Sequence, residues 1–335
     1  MARYNASEST KLIKEYLVKF PNTPRLTLAK TIYKNHPESF LTVESVRNLI
    51  RYYTGSSGKR HRDKIGSDNV NLLREHGVYN PFKLPEEMSD DYTPFILSQS
   101  NVLVLSDLHF PYHSIEAITT ALEYGKKKEV NAILINGDLM DFAMLSRHER
   151  EWRQRYPHEE FEATRNFLVT LRKEFPKAMI VFKEGNHDER WEKWLYVKAP
   201  ELFGDAEFKL ETRLRLPELK IQIVQDRRPV HIGKLSVLHG HEMFGGSGGV
   251  NPARSTFLKT LSNVMVGHYH RTSSHVESSF NGDVISVQST GCLCNLTPYY
   301  MRVNKHNHGF ARVELDIATG EYHLENLKII KGKVY

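Results

Sequence analysis

The chain has 335 residues, 40% of them apolar and 26% charged, with a formal charge of +6. That composition is globular, with room for one large domain and a small one, and it excludes a chain too polar to bury a core. No run of about 18 apolar residues occurs, which excludes a transmembrane helix from the sequence reading, and the polar Met1-Ala2-Arg3-Tyr4-Asn5 start lacks the apolar core of a signal peptide.

Residues 1–65 hold thirteen Lys and Arg against five Asp and Glu, a net +8 that leaves −2 for the remainder. A basic end on a slightly acidic body predicts a polyanion-binding module. Leu12, Ile13, Tyr16, Leu17 and Phe20 recur at helical spacing. So do Leu28, Ala29, Ile32 and Tyr33 after Thr23-Pro24, and Val43, Val46, Leu49, Ile50 and Tyr53 after Thr42, a suitable N-cap. Three short helices with tight connections fit a small all-α, helix-turn-helix-like domain over 1–62. Arg47 and Arg51 lie one turn apart on the third helix, off its apolar stripe. Lys59, Arg60 and Arg62 follow a Gly-Ser stretch as a basic arm. These five residues are the candidate nucleic-acid contacts; the competing reading is a basic face that is only solvated. Gly77, Pro81, Pro85 and Pro94 break up residues 63–100, which read as a linker.

From residue 101 strands and helices alternate. Val102–Leu105, Ala132–Ile135 and Met179–Phe182 read as buried strands, with helices over Ile115–Lys127 and around Glu159–Glu174 between them. This order predicts a largely parallel sheet in an α/β domain over 101–335, with ligands beyond the carboxyl ends of its strands. Strands are also expected at Ile221–Val224, Leu235–Leu238, Val264–Val266, Val284–Val287, Ala311–Leu315 and Tyr322–Leu327, the last two joined by a turn at Ala318-Thr319-Gly320.

Five blocks each follow a predicted strand: Asp107-Leu108-His109, Gly137-Asp138-Leu139-Met140-Asp141, Gly185-Asn186-His187-Asp188, His239-Gly240-His241 and Gly267-His268-Tyr269-His270. Any one of them alone is more often a turn or a capping aspartate than a metal ligand. Together they place carboxylate, amide and imidazole donors at successive strand ends, where loops distant in sequence converge.

In this order the five blocks resemble the calcineurin-like metallophosphoesterase family, over about residues 101–292. The resemblance implies a four-layer α/β/β/α sandwich and a dinuclear, metal-dependent phosphoesterase. It implies Asp107, His109 and His270 as ligands of one ion, Asn186, His239 and His268 as ligands of the other, and Asp138 as the bridging carboxylate. It further implies His187 as the residue that contacts phosphate and protonates the leaving oxygen, with Asp141 orienting it. Mixed oxygen and imidazole donors suit manganese, iron, zinc, cobalt or nickel better than an all-oxygen calcium cage and do not choose among them; manganese is the first candidate. Arg147, His148 and His241 are candidates to lie near the substrate.

Phe142-Ala143 and Asp188 depart from the protein serine/threonine phosphatase pattern of this superfamily, which has Arg-Gly after the second block and glutamate in the third. The basic N-terminal domain favours DNA or RNA, making the chain a nuclease or nucleic-acid phosphodiesterase. The alternative is a small nucleotide or phosphomonoester, with the N-terminal domain as an interaction module; a DNA-binding protein with an inactive core is a third reading. The two cysteines, Cys292 and Cys294, make no disulfide framework, are assigned to packing, and point with the missing leader to a cytoplasmic setting. Trp152, Trp191 and Trp194 are assigned to packing, and Gly245–Gly249 to a connection or a phosphate-facing loop. Oligomeric state is not legible.

Overall fold

The structure is a computed structural model that describes residues 6–20, 23–54, 92–146, 154–243, 248–280 and 282–335. Lys59, Arg60, Arg62, Arg147, His148, Trp152 and residues 245–247 lie outside the described residues. The chain divides into two compact units, Met1–Ser89 and Asp90–Tyr335.

In the first unit, α1 (Ala6–Lys19), α2 (Arg25–Asn35) and α3 (Val43–Thr54) pack around Ile13, Leu28, Ile32, Phe40, Val46 and Ile50. The hydroxyl of Thr42 accepts a hydrogen bond from Ser45 N at 3.1 Å and caps α3, as its place in the sequence predicts. Arg47 and Arg51 both reach back to Glu44, at 3.3 and 3.9 Å. Exposed ion pairs of this kind are worth about 0.5 kcal/mol, so a phosphate can displace the carboxylate at little cost.

The second unit runs β1 (Phe95–Ile96), β2 (Asn101–Leu105), α4 (Ile115–Lys127), β3 (Ala132–Asn136), α5 (Pro157–Glu174), β4 (Met179–Lys183), α6 (Arg190–Lys198), β5 (Ile221–Val224), β6 (Val230–Ile232) and β7 (Leu235–Leu238). It continues with α7 (Pro252–Thr260), β8 (Val264–Val266), β9 (Ser273–Ser278), β10 (Val284–Ser289), β11 (Gly309–Leu315), β12 (Tyr322–Ile330) and β13 (Lys333–Val334). Two sheets form, in the orders β13-β12-β11-β2-β3-β4-β5 and β1-β6-β7-β8-β10-β9. Strands β2 to β5 are parallel, as are β7 and β8. The stretch read as a linker departs from that reading at its end. Phe95 and Ile96 pair with Val230 and His231, and Leu97 is buried.

Alternation along the strands explains the layers. Leu103, Leu105, Ile133 and Ile135 face a core completed by Ala117 and Ala121 of α4, Phe161 and Leu168 of α5, and Trp191 and Leu195 of α6. Val102, Val104, Ala132 and Leu134 point the other way and meet Val230, Ile232, Leu235, Val237 and Met265 of the second sheet. That sheet's outer side packs Val264, Val266 and Val287 against Ala253 and Phe257 of α7. The fold is therefore helices, sheet, sheet, helix. Trp191 packs with Phe142 and Phe161 and donates its indole N–H to Phe208 O at 2.6 Å, and Trp194 stacks on it.

On α5, Glu160 is buried and accepts Phe142 N at 2.6 Å, while burial pushes its carboxyl up to about 8. Folding thus holds a proton that an unfolded glutamate releases near 4.5. The stability this group contributes is full below pH 4.5 and is lost as pH rises through 8. In chelator, we expect the wild type to lose on the order of 3 kcal/mol more than Glu160→Gln between those limits. Parallel pH–stability curves, from denaturant melts, would refute this.

Candidate metal centre

Strands β2, β3 and β4 of one sheet and β7 and β8 of the other end at a common edge, and the five blocks occupy the loops there. Asp107, His109, Asp138, His268 and His270 all have left-handed backbone, with φ of 57°, 51°, 51°, 64° and 55°. That conformation costs non-glycine residues roughly 1–2 kcal/mol each, and such strain gathers where a site needs it. The glycines of the blocks make close approaches possible. A Cβ on Gly137 would stand 2.3 Å from His239 Nδ1, and one on Gly185 would stand 2.3 Å from Asp138 N.

The Asp138 carboxylate is at the middle of the cluster. Its Oδ1 accepts His187 N at 2.9 Å, which turns Oδ2 toward Nε2 of His239 at 3.3 Å, of His109 at 3.6 Å and of His187 at 4.0 Å. Both Asp107 oxygens accept His268 N, at 3.1 and 2.9 Å, and Oδ1 stands 3.3 Å from His270 Nε2. Asn186 Oδ1 is 3.3 Å from His239 Nε2.

These groups face one another as acceptors. His239 Nδ1 contacts the carbonyl of Asn136 at 2.9 Å and so carries the hydrogen, leaving the Nε2 lone pair aimed at Asp138 and Asn186. His109 Nδ1 likewise donates to Asp141 Oδ1 at 2.8 Å, leaving Nε2 3.3 Å from His270 Nε2. Converging lone pairs need a cation between them. In the metal-free chain a proton answers that need. Burial alone would lower His239, but Asp138 raises it to about 10. Burial and the neighbouring imidazoles hold His268 down at about 4, neutral and ready to coordinate. His109, Asp138 and His187, and Asp138, His239 and His268, form two groups whose ligand atoms lie within 4.8 Å of one another. The donor set fits divalent ions bound through nitrogen and oxygen.

Asp141 has a broader role than sequence suggested. Its carboxylate is nearer His109 (2.8 Å) than His187 (3.3 Å), and its backbone oxygen accepts His187 Nδ1–H at 2.7 Å. It therefore orients one candidate ligand and the candidate acid together, and both rings hold its carboxyl well below its usual range against the effect of burial. His187 is raised: burial opposes its charge, and Asp138 and Asp141 favour it.

Several contributors were not assigned from the sequence. Arg190 donates to Asp141 O at 2.9 Å and stands 3.0 Å from His187 Nε2. Asp188 accepts backbone N–H bonds from Met140 at 3.0 Å and Gly185 at 2.8 Å, tying the second and third blocks together. Lys183 and Glu242 form a buried pair at 2.8 Å, and Glu242 accepts His239 N and Gly240 N at 2.9 and 2.6 Å. Burial would raise Glu242, but Lys183 brings it down to about 2. Glu242→Gln leaves Lys183 buried without its counter-charge, and we expect a stability loss of about 3 kcal/mol by denaturant unfolding; an unchanged midpoint would refute the pairing argument.

His241 is beside the centre, with Nε2 bonded to Glu189 at 2.8 Å rather than turned into it. Cys292 and Cys294 are buried, but the packing assignment is incomplete. Cys294 Sγ lies 3.7 Å from His270 Nδ1 and joins His109 and His270 in a third metal-competent group. Of the glycine-rich stretch, Gly249 O accepts Arg271 at 2.7 Å.

Several solved structures are similar to parts of this chain. Vacuolar protein sorting 29 of Cryptosporidium parvum is 16% identical, covering 71% of this chain and 95% of its own, with a TM-score of 0.37. Wild-type Vps29 of Entamoeba histolytica, complexed with Zn²⁺, is 13% identical over 70% of this chain and 96% of its own, at 0.37. YfcE, a phosphoesterase from E. coli, is 15% identical over 67% of this chain and 98% of its own, at 0.31. No curated relative matches the chain. The sequence profile of the calcineurin-like phosphoesterases matches residues 100–291, more than half of the chain. With those residues carrying strands β2 to β10 and the converging donors, the chain belongs to the calcineurin-like phosphoesterase family and is a metal-dependent phosphoester hydrolase.

Proposed function

We propose that the chain hydrolyses nucleotide phosphodiesters, with nucleic acid as its first candidate substrate. The observation that carries this reading is the net +8 of residues 1–65, against a net −2 for the rest of the chain. Neutralising a phosphate backbone is what such a segment does well. A small nucleotide is the second reading, favoured by a cleft of about 260 Å³ next to the centre.

In this reading Asp107, His109 and His270 hold one divalent ion, and Asn186, His239 and His268 the other. Asp138 lies between them, with manganese the first candidate. Bound there, the ions supply charge neutralisation of the phosphate and an activated water near neutral pH. His187 keeps its Nδ1–H on Asp141 and gives the Nε2 proton to the leaving oxygen, a proton that Asp138 and Asp141 help it retain. Arg190 donates an N–H to that nitrogen at 3.0 Å and fixes the ring, so this bond must open before Nε2 carries the proton.

The test strips the protein with chelator and restores divalent ions singly. Bis-p-nitrophenyl phosphate, p-nitrophenyl phosphate and labelled single- and double-stranded DNA are then offered, with Asp138→Asn as control. Metal-restored cleavage of the diester and DNA supports the proposal, whereas turnover of the monoester alone moves the chain to the small-substrate reading. DNA affinity should fall with salt at a log–log slope of about −0.9 for each duplex phosphate neutralised. Salt-independent binding would remove the support drawn from the basic segment.

A further inference from the structure

The cleft beside the centre shares His109, Asp141 and His270 with it, so a phosphate held there directs one ester substituent into the cleft. Its outer wall comes from Tyr112, Gln154, Asn295, Pro298, Tyr299 and Arg302. Four of these lie beyond residue 291, outside the part of the chain that the family profile matches.

This wall is built rather than incidental. Asn295 N donates to Tyr112 O at 2.8 Å, and Asn295 Oδ1 accepts Thr297 N at 3.0 Å. Asn304 Nδ2 donates to Leu296 O and Met301 O at 2.7 and 2.8 Å, closing the segment on itself. Arg302 donates to Thr297 O at 3.3 Å and lies 5.5 Å from the centre of the Tyr299 ring, which is itself 58% exposed. Gln154 Oε1 is buried, with no hydrogen-bond donor among the described residues. A buried acceptor without a donor is costly, and turning the Gln154 amide toward the cleft that the residue lines would let a ligand N–H relieve that cost.

Flat aromatic and guanidinium surfaces, a lone amide acceptor and a volume below that of most drug-sized sites suit one planar, N–H-bearing ring. We propose that this cleft binds the nucleobase of the nucleotide whose phosphate occupies the metal centre. Tyr299 and Tyr112 supply stacking surface, Arg302 extends it, and Gln154 Oε1 accepts an N–H from the base edge. The proposal rests on the nucleotide-phosphodiester reading and deepens it. It calls for an unpaired base, at a strand end, in a single strand or in a small nucleotide, because a base held in a duplex cannot enter.

The test compares two esters with the same leaving group, thymidine 5′-p-nitrophenyl phosphate and methyl p-nitrophenyl phosphate, on the full-length, manganese-restored protein. The wild type should prefer the nucleoside ester by about tenfold or more in kcat/KM, the effect of stacking one base. The ratio should fall toward one in Tyr299→Ala and in Gln154→Leu. It should also fall for the N3-methylthymidine ester on the wild type, where no side chain has been altered. Equal kcat/KM for the two esters in the wild type would overturn the proposal. If neither ester is hydrolysed, the phosphodiesterase reading fails and calorimetry judges the cleft by itself. Thymidine 5′-monophosphate binding more tightly than deoxyribose 5-phosphate, with the difference lost in Tyr299→Ala, supports it. Equal or absent binding overturns it.

Discussion

Asp138→Asn should lower kcat/KM by at least about 10⁴-fold, because a carboxylate shared between two cations contributes several kcal/mol to stabilising the reaction. The amide keeps the shape of the side chain and can still accept His187 N, now 2.9 Å from Oδ1. What it loses is the charge facing His239, His109 and His187. Circular dichroism should therefore be unchanged, while metal content after dialysis falls and manganese raises the melting temperature less than in the wild type. In the metal-free variant His239, pushed up to about 10 while Asp138 is charged, should titrate closer to the ordinary imidazole value by NMR. Wild-type turnover by the purified variant would refute the central place given to Asp138.

His187→Ala tests a different part of the reaction. We expect about 10²–10⁴-fold lower kcat, the usual worth of a placed general acid, with metal content held near the wild-type level. The loss should be greatest for alkyl leaving groups, which need a proton, and smallest for p-nitrophenolate, which departs without one. A loss independent of leaving group would mean that His187 only positions the phosphate. Asp141→Asn should show part of both effects, since Asp141 contacts His109 as well as His187.

The converging donors were legible in the sequence because ligand chemistry restricts residue type. Few reasons other than a metal place Asp, Asn and His after five buried strands, and the strands themselves are rich in Val, Ile and Leu. The supporting shell was much less legible. Lys183 is the last residue of an apolar strand and Glu242 follows a histidine block, and nothing local says that they meet. Cys294 read as packing because its relation to His270 depends on a chain reversal 24 residues long. Strand β9, Ser-Ser-His-Val-Glu-Ser, was missed because it is an exposed edge strand without an apolar face. β1 and β6 are too short to show a period. In the other direction, Arg47 and Arg51 stood out as cations but their shared partner Glu44 did not, although helical spacing of three and seven residues would have revealed it.

One feature of the sheet bears on how the chain is made. Strand β2, which leads into Asp107 and His109, sits between β3 and β11, so its second neighbour emerges from the ribosome about two hundred residues later. Until Gly309–Leu315 is synthesised, β2 has an open edge, the kind of surface on which nascent chains pair wrongly. A chain cut at residue 291, where the family profile ends, would keep the seven candidate Asp, Asn and His ligands yet lose that neighbour. Such a fragment should aggregate, and adding residues 292–335 as a separate peptide should rescue it.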